Sequence, residues 1–228
     1  MLGKNLDHKL TIRSDDPIHH LHTFDIDLKS NHIYLMGVDR GYEVVNGIDE
    51  PGVEYVMANR FIKNINLCMR TSPKKPIVIH MKTCGGLWEE GMAIYDAIKA
   101  CPSKVIILNY THARSMSSLI FQAADKRVMM PHSIFMFHDG TYGIEGTVKT
   151  VRSSIEFDKK NDIEMLNIYA EQMNKKGSKA GEGVSKIKKW LRYQMDKKED
   201  VYLTAREAVD LGLADCIFDY NWKTLTKL

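Results

Sequence analysis

The sequence predicts an α/β fold with a largely parallel sheet, and three observations favour it. A mainly apolar run at residues 77–81 and a fully apolar run at 105–108 are typical of buried strands. Stretches with the apolar periodicity of helices lie between such runs, and this alternation implies crossover connections between parallel strands. No internal repeat or domain linker interrupts the 228 residues, so we expect one domain with terminal arms.

Residues 1–22 are polar and predict an N-terminal arm. The elements after it are, in chain order, strands at 23–28 and 32–36, a helix at 53–69, a strand at 77–81, a helix at 88–100, a strand at 105–108 and a helix at 116–124. Pro73 and Pro76 close the first of these helices, and Gly85-Gly86 turns the chain into the second.

The second half continues the alternation to residue 220 and ends in a tail at 221–228. Its elements are strands at 127–130 and 134–137, a long helix at 151–173, a basic helix after 183 to about 195, a short segment at 200–203, a helix capped by Thr204, and a strand at 214–218. Residues 175–183 (KKGSKAGEG) predict a flexible break between two helices. Thr204 and Glu207 have the spacing of a capping box.

Composition excludes several classes of function. The formal net charge of +3 is too small to indicate a nucleic-acid partner. The four cysteines are scattered without metal-ligand spacing, which predicts reduced, mostly buried thiols. Residues 1–16 lack the apolar core of a signal peptide, and no apolar run is long enough to cross a membrane. We therefore expect a cytoplasmic protein without a membrane partner.

Neither a metal nor a cofactor is expected. His19, His20 and His22 lie close together, but no second cluster completes a ligand set, which favours a mobile, solvated arm. The chain also lacks a Gly-x-x-x-x-Gly-Lys-Ser/Thr loop, so it cannot hydrolyse ATP by that route.

The most informative pair of residues is Ser115, at a turn that enters an apolar helix, and His138, at the end of an apolar strand. A serine hydroxyl is a weak nucleophile at neutral pH and needs an imidazole within reach. Each residue also has an ordinary interpretation, because a serine at a helix start is usually a cap and a strand-end histidine is usually structural. His112 and His132 are alternative bases.

The turn at Gly85-Gly86 belongs to the strand–turn–helix unit that precedes the unit of Ser115. Glycines in such a turn allow backbone N–H groups to approach a ligand closely. In a parallel sheet both turns open on the same edge, where ligands bind.

Four segments, in collinear order, resemble the Clp protease proteolytic subunit. They are the block at 77–98 (IVIHMKTCGGLWEEGMAIYDAI), the turn at 113–118 (ARSMSS), the strand at 131–139 (PHSIFMFHD) and the ending at 200–215 (DVYLTAREAVDLGLAD). The resemblance covers roughly residues 24–218. It implies a crotonase-type spiral of β-β-α units at 23–220, with a protruding handle, a strand plus a long helix, at about 139–198.

The resemblance places the family's nucleophile on Ser115, its general base on His138 and its orienting acid on Asp200. An aspartate in that position fixes the imidazole tautomer, which agrees with the chemistry of a triad. Asp196 and Glu199 are the alternatives if the alignment of the acid is shifted.

The same resemblance places an oxyanion hole on the backbone N–H groups of Gly85 and Met116. An extended substrate is expected to add as a strand beside Gly86 and Leu87, and beside the handle strand.

The function implied by the resemblance is that of a serine endopeptidase, which hydrolyses unfolded polypeptides inside an oligomeric chamber. Heptameric rings stacked as a tetradecamer and a separate AAA+ unfoldase are the implied partners. A viral capsid maturation protease of the same fold and a non-catalytic ring or scaffold subunit are alternatives. A coenzyme-A hydratase is disfavoured, since such enzymes use carboxylates rather than a Ser-His pair.

Four residues depart from the family's motifs. Cys84 stands where the family has proline, and Arg114 precedes the nucleophile where alanine is usual. Ser117 replaces a glycine behind the nucleophile, and Glu199 takes a position often held by arginine. These departures bear on ring contacts and specificity more than on the triad.

Overall fold

A computed structural model describes residues 16–37, 52–141 and 143–226. The elements in these ranges are, in chain order, α1 (Pro17–Phe24), β1 (Ile26–Asp27), β2 (His32–Met36), α2 (Tyr55–Thr71), β3 (Ile77–Thr83), α3 (Trp88–Lys99), β4 (Val105–Arg114), α4 (Met116–Gln122), β5 (Lys126–Met129), β6 (Ile134–Phe137), α5 (Val148–Lys175), α6 (Val184–Lys198), β7 (Val201–Thr204), α7 (Ala205–Asp210), β8 (Cys216–Ile217) and α8 (Trp222–Leu225). None of these helices is both long and apolar enough to cross a membrane.

The described strands form one mixed sheet in the order β1-β2-β3-β4-β5-β8. The pairs from β2 to β8 are parallel, whereas β1 is antiparallel to β2. Helices connect the parallel strands, as crossover connections require. The predicted α/β fold class is confirmed.

The sheet divides along β4, and this division positions the functional residues. Residues 106–109 of β4 pair with β5, whereas residues 112–114 pair with β6. Strand β6 then pairs with β7 in antiparallel fashion. The division also explains why β4 is longer than the predicted 105–108 strand. The polar second half of β4 pairs with β6. At the point where the pairing changes, Asn109 donates from Nδ2 to the Ile134 carbonyl.

Two apolar layers cover the sheet, because successive side chains of a strand point to opposite faces. Ile77, Ile79 and Met81 of β3 belong to the main core, which lies under the helices. Val78 belongs to a smaller cluster on the opposite face, together with Phe218. This two-sided burial accounts for the mainly apolar composition of the central strands.

Both chain ends contain helices that were not predicted. Helix α1 occupies residues predicted as arm and as the start of a strand. Asp16 caps it by accepting from the Ile18 amide, and Pro17 lies in its first turn. Helix α8 falls within the predicted tail, where Leu225 is 3% exposed. Leu225 therefore packs α8 against the domain, in the cluster that contains Phe218.

The central elements follow the predictions with two differences. Helix α5 extends beyond the predicted 151–173 helix at both ends, and the predicted break after it is present, since α6 begins at Val184. The Thr204–Glu207 capping box is confirmed. The described residues between β6 and α5, 138–141 and 143–147, pair with no described strand, so the handle strand stays a prediction. Among the cysteines, Cys68 is buried and the other three are half-buried.

A histidine pair lies on the face of the sheet opposite the main core. His80 hydrogen-bonds through Nδ1 with the Tyr110 hydroxyl at 2.9 Å and through Nε2 with Nδ1 of His32 at 3.0 Å. The ring of Tyr34 stacks on His80 with a centroid separation of 4.5 Å. Burial lowers the pKa of His80 from 6.5 to about 4, and burial also lowers the pKa of His32.

Because the folded state disfavours protonated His80, we expect stability to fall with pH in a defined window. The contribution of neutral His80 to the free energy of unfolding is complete above pH 6.5. It is lost as pH falls toward 4, since between these pH values only the unfolded chain takes up the proton. The loss in unfolding free energy is about 3 kcal/mol. Urea titrations between pH 4 and 7 measure it. His80→Phe should flatten the slope, whereas His132→Phe, at an exposed turn, should keep it; an unchanged slope in His80→Phe contradicts the assignment.

Candidate active site

Ser115 occupies the turn between β4 and α4, in a backbone conformation that is rare for a residue with a side chain. Its φ is 53° and its ψ is −128°. The Ser115 amide donates to the Met136 carbonyl at 3.0 Å, which fixes the turn against β6. The Ser115 carbonyl accepts from the Ser118 amide at 2.9 Å and from the Ser118 hydroxyl at 2.6 Å. Hydrogen bonds therefore fix the backbone on both sides of the Ser115 Cα.

Three of the predicted residues form a continuous hydrogen-bonded chain. The Ser115 Oγ lies 2.8 Å from Nε2 of His138, and Nδ1 of His138 lies 2.9 Å from Oδ1 of Asp200. A carboxylate on Nδ1 selects the tautomer with the proton there, so that Nε2 can accept the serine proton. The His138 side chain is 18% exposed and that of Asp200 41%. Tyr202 donates from its hydroxyl to the other Asp200 oxygen at 3.3 Å.

Strand pairing brings these residues together. Arg114 is paired with Met136, and Phe137 is paired with Val201. Ser115 follows the first of these pairs, His138 follows Phe137, and Asp200 precedes Val201. Three strand ends therefore meet at one corner of the sheet.

The alternative residues lie elsewhere or bind differently. His112 is in β4 opposite Ile134, and His132 is exposed in the turn before β6. Asp196 and Glu199 line the same cleft as Asp200, but the imidazole bond goes to Asp200.

The Gly85-Gly86 turn lies directly against the serine turn. Gly85 has a φ of +104°, and a Cβ added to it would lie 2.7 Å from the Ser115 Cβ and 3.2 Å from the Met116 amide nitrogen. Only a residue without a side chain fits at this distance. Met116 opens α4, where amides have no acceptor in the preceding turn. The backbone of Gly85 therefore lies against Ser115 and the Met116 amide.

One edge of the segment after Gly85 is already paired. The Val53 amide donates to the Gly85 carbonyl at 2.6 Å, and the Leu87 amide donates to the Val53 carbonyl at 2.9 Å. In an extended segment alternate residues direct their polar groups to opposite edges. Of the two predicted substrate contacts, Gly86 presents its backbone groups away from Val53. Leu87 can contribute its side chain, which is 59% exposed.

Two clefts of different character meet at Ser115 and His138. One, of about 480 Å³, has an apolar floor that includes Trp88, Leu119 and Met165. The other, of about 720 Å³, is lined by charged and polar side chains, namely Arg114, Asp139, Asp196, Glu199, Asp200 and Tyr202. The serine hydroxyl is accessible from both, so an extended chain can pass across it.

Three supporting contacts were not anticipated from the sequence. The Tyr169 hydroxyl bonds with the Ser118 hydroxyl at 2.6 Å beneath the serine turn, and burial raises the pKa of Tyr169. Tyr202 contacts Asp200, and Arg114 donates from Nε to the Cys84 carbonyl at 3.3 Å. Of these three contacts, only that between Tyr202 and Asp200 could have been predicted from the sequence, because residues two apart share one side of a strand. Within the described ranges, no cluster of three or more metal-ligating side chains is present.

Comparison with known families agrees with this geometry. The family model for Clp protease matches residues 49–221, which is more than half of the chain. The chain belongs to the Clp protease family. The matched range includes the three hydrogen-bonded residues and both glycines of the turn, so the resemblance found in the motifs is confirmed.

Curated members of the Clp protease family include several similar proteins. The ATP-dependent Clp protease proteolytic subunit 3 of Parasynechococcus marenigrum (strain WH8102) is 30% identical over 194 residues, which cover 81% of this chain and 85% of that protein. Subunit 2 of Prochlorococcus marinus (strain MIT 9312) is also 30% identical, over 81% of this chain and 84% of its own length. The proteolytic subunit of Chlorella vulgaris is 29% identical, over 74% and 79%.

Proposed function

We propose that this member of the Clp protease family is a serine endopeptidase that hydrolyses unfolded polypeptides. Ser115 is the nucleophile, His138 the general base and Asp200 the orienting acid. The observation that carries the proposal is the hydrogen-bonded chain from Asp200 through His138 to Ser115, with separations of 2.9 and 2.8 Å. These separations are within the range for proton transfer.

The chemistry follows from this arrangement. Ser115 Oγ attacks the scissile carbonyl carbon while its proton passes to Nε2 of His138, and Asp200 stabilises the resulting imidazolium. The Gly85 and Met116 amides donate to the tetrahedral oxyanion. His138 then protonates the leaving amine, which gives an acyl-enzyme on Ser115. Water, activated by the same imidazole, hydrolyses that ester and regenerates the serine.

The shape of the site favours an extended substrate. Backbone pairing with Gly86 requires a strand-like segment, which a compact folded protein does not offer. The apolar floor formed by Trp88, Leu119 and Met165 fits a nonpolar side chain beside the scissile bond. Unfolded polypeptides are therefore the proposed substrates.

The long helix α5 supports self-association. Between residues 148 and 164 it contains no buried residue, and its large apolar side chains at Val148, Ile155, Phe157 and Ile163 are exposed. Exposed apolar side chains of this kind are typical of an interaction surface. We include stacked heptameric rings, a tetradecamer, in the proposal. The relatives are named ATP-dependent, so a separate AAA+ unfoldase is the proposed partner; the cytoplasmic location stays a prediction.

A degradation assay tests the function. The full-length protein is incubated with a dye-quenched, permanently unfolded polypeptide, and peptide products are identified by mass spectrometry. We expect endoproteolytic fragments from the wild type and from the control Ser117→Ala. Intact substrate after incubation with an assembled ring and a Clp-type ATPase would instead indicate a non-catalytic ring subunit. Fragments confined to one capsid-type site would indicate a maturation protease.

Replacing Gly85 by alanine is expected to reduce kcat by about 100-fold or more, the effect of losing one oxyanion donor. The added methyl group would collide with the serine turn, and the positive φ of Gly85 disfavours any side chain. Peptide hydrolysis measures the effect. Gly140→Ala is the matched control, because its φ is +81° but nothing lies within 4 Å of the added Cβ. Equal losses in both variants would contradict the close approach of Gly85 to Ser115.

A further inference from the structure

Building on the serine-peptidase function proposed above, we propose that Arg114 is a positioning residue for the oxyanion hole. Its guanidinium holds the peptide group between Cys84 and Gly85, so that the Gly85 amide faces the nucleophile. The evidence is the bond from Arg114 Nε to the Cys84 carbonyl oxygen, at 3.3 Å.

The geometry of a peptide bond links this contact to the oxyanion hole. The Cys84 carbonyl and the Gly85 N–H belong to one planar unit, and the described chain contains no cis peptide bond. In a trans unit the C=O and the N–H point in opposite directions. Holding the carbonyl oxygen therefore sets the direction of the amide hydrogen. A rotation of this unit would turn the proposed donor away from the Ser115 hydroxyl.

The next peptide unit is held as well. The Gly85 carbonyl accepts from the Val53 amide at 2.6 Å. Arg114 and Val53 thus restrain the two peptide units on either side of the Gly85 Cα. Since glycine has wide conformational freedom, a turn built on it needs such external restraints to keep one amide direction.

A charged donor adds an electronic effect. A guanidinium that donates to a carbonyl polarises the peptide group, which makes the N–H at its other end a better donor. Arg114 is half-buried at the wall of the charged cleft, where the local dielectric is lower than in bulk water. The same contact therefore orients and strengthens the proposed oxyanion donor.

Both ends of the contact differ from the motif that the chain resembles. Cysteine replaces proline in the turn, and arginine replaces alanine before the nucleophile. Proline fixes its own φ, so its loss at Cys84 leaves the turn with more freedom. The bond from Arg114 compensates for that loss from the neighbouring strand.

Two substitutions separate hydrogen bonding from charge. Glutamine has an N–H donor at the same number of bonds from Cα as Nε of arginine, without the charge, whereas methionine matches the length and has no donor. We expect Arg114→Met to lower kcat about 10- to 100-fold with KM within about two-fold, since oxyanion contacts act in the transition state. Arg114→Gln should retain kcat within a few-fold of the wild type.

Hydrogen exchange of the 83–87 segment provides a readout that needs no turnover. We expect faster exchange in Arg114→Met than in Arg114→Gln or the wild type. Equal kinetic losses in the two variants would overturn the proposal, because the hydrogen-bond donor retained in Arg114→Gln would then not position the Gly85 amide. A raised KM with unchanged kcat would overturn it in favour of substrate binding. An inactive wild type with faster exchange in Arg114→Met alone would reject the peptidase function but support the restraint on the turn.

Discussion

Ser115→Ala is expected to lower kcat for unfolded polypeptide by about a million-fold, the usual effect of removing a triad nucleophile. The Ser115 hydroxyl is the only group placed 2.8 Å from the imidazole Nε2 among the hydrogen bonds of the described residues. Without it, water must attack the substrate directly. Steady-state hydrolysis of a fluorogenic peptide measures the loss, with active-site titration to exclude traces of wild type.

Two comparisons sharpen this prediction. Ser117→Ala is the matched control, because Ser117 is buried two residues away and its hydroxyl has no hydrogen-bond partner among the described residues. It should retain wild-type kcat within a few-fold. Ser115→Ala combined with His138→Ala should be no slower than Ser115→Ala, since triad members act as a unit. Strictly additive losses, or equal losses in Ser115→Ala and Ser117→Ala, would contradict the assignment.

Asp215→Ala is expected to destabilise the protein by about 3–5 kcal/mol, because it leaves a buried guanidinium without its counter-ion. Asp215 accepts from the Arg127 backbone amide at 2.8 Å and from Nε and Nη2 at 3.0 and 2.9 Å. Arg127 is 5% exposed, and its remaining Nη1 donates to Gln122 at 2.6 Å. Gln122 in turn donates to the Ser118 carbonyl, which joins the ion pair to the helix behind Ser115.

Urea unfolding at fixed protein concentration measures the effect of Asp215→Ala. Lys104→Ala removes the Lys104–Asp125 pair, whose side chains are 62% and 38% exposed, and should cost no more than about 1 kcal/mol. Replacing both Arg127 and Asp215 with apolar residues should recover much of the loss. A cost for Asp215→Ala similar to that for Lys104→Ala would show that the buried pair contributes little.

The ion pair also has a pH signature. Burial opposes ionisation of Asp215, but the bonds and charge of Arg127 outweigh it and hold the pKa below its ordinary value of 3.8. The stability that Asp215 contributes is therefore complete above pH 3.8 and is lost as pH falls through the lowered pKa of the folded state. This window lies below that of His80, so the two effects can be separated in one titration.

The candidate triad could be predicted from sequence because each member adjoins a strand or helix end. Ser115 precedes an apolar helix, His138 follows an apolar strand, and Asp200 precedes a short strand. Parallel strands place such ends at one edge of a sheet. Local pattern therefore singled out Ser115 and His138, whereas the four collinear motifs supplied Asp200 and the assignment of roles.

Features that depend on three-dimensional contact could not be predicted in this way. The second half of β4 is polar, with Asn109 and His112, and does not resemble a buried strand; its strand conformation comes from pairing with β6. The bond between Arg114 and Cys84 joins residues 30 positions apart. Helix α1 did have a local signal, Asp16 followed by Pro17, but the polar composition of the arm outweighed it.

Reaction with a fluorophosphonate probe shows whether Ser115 is an activated nucleophile, because the probe forms a stable adduct only with an activated serine. The full-length assembled protein is labelled, digested and mapped by mass spectrometry. We expect one adduct, on Ser115, that is retained in Ser117→Ala and absent from Ser115→Ala and His138→Ala. Labelling of a different serine, or no labelling of an assembled ring in the presence of a Clp-type ATPase, would contradict it.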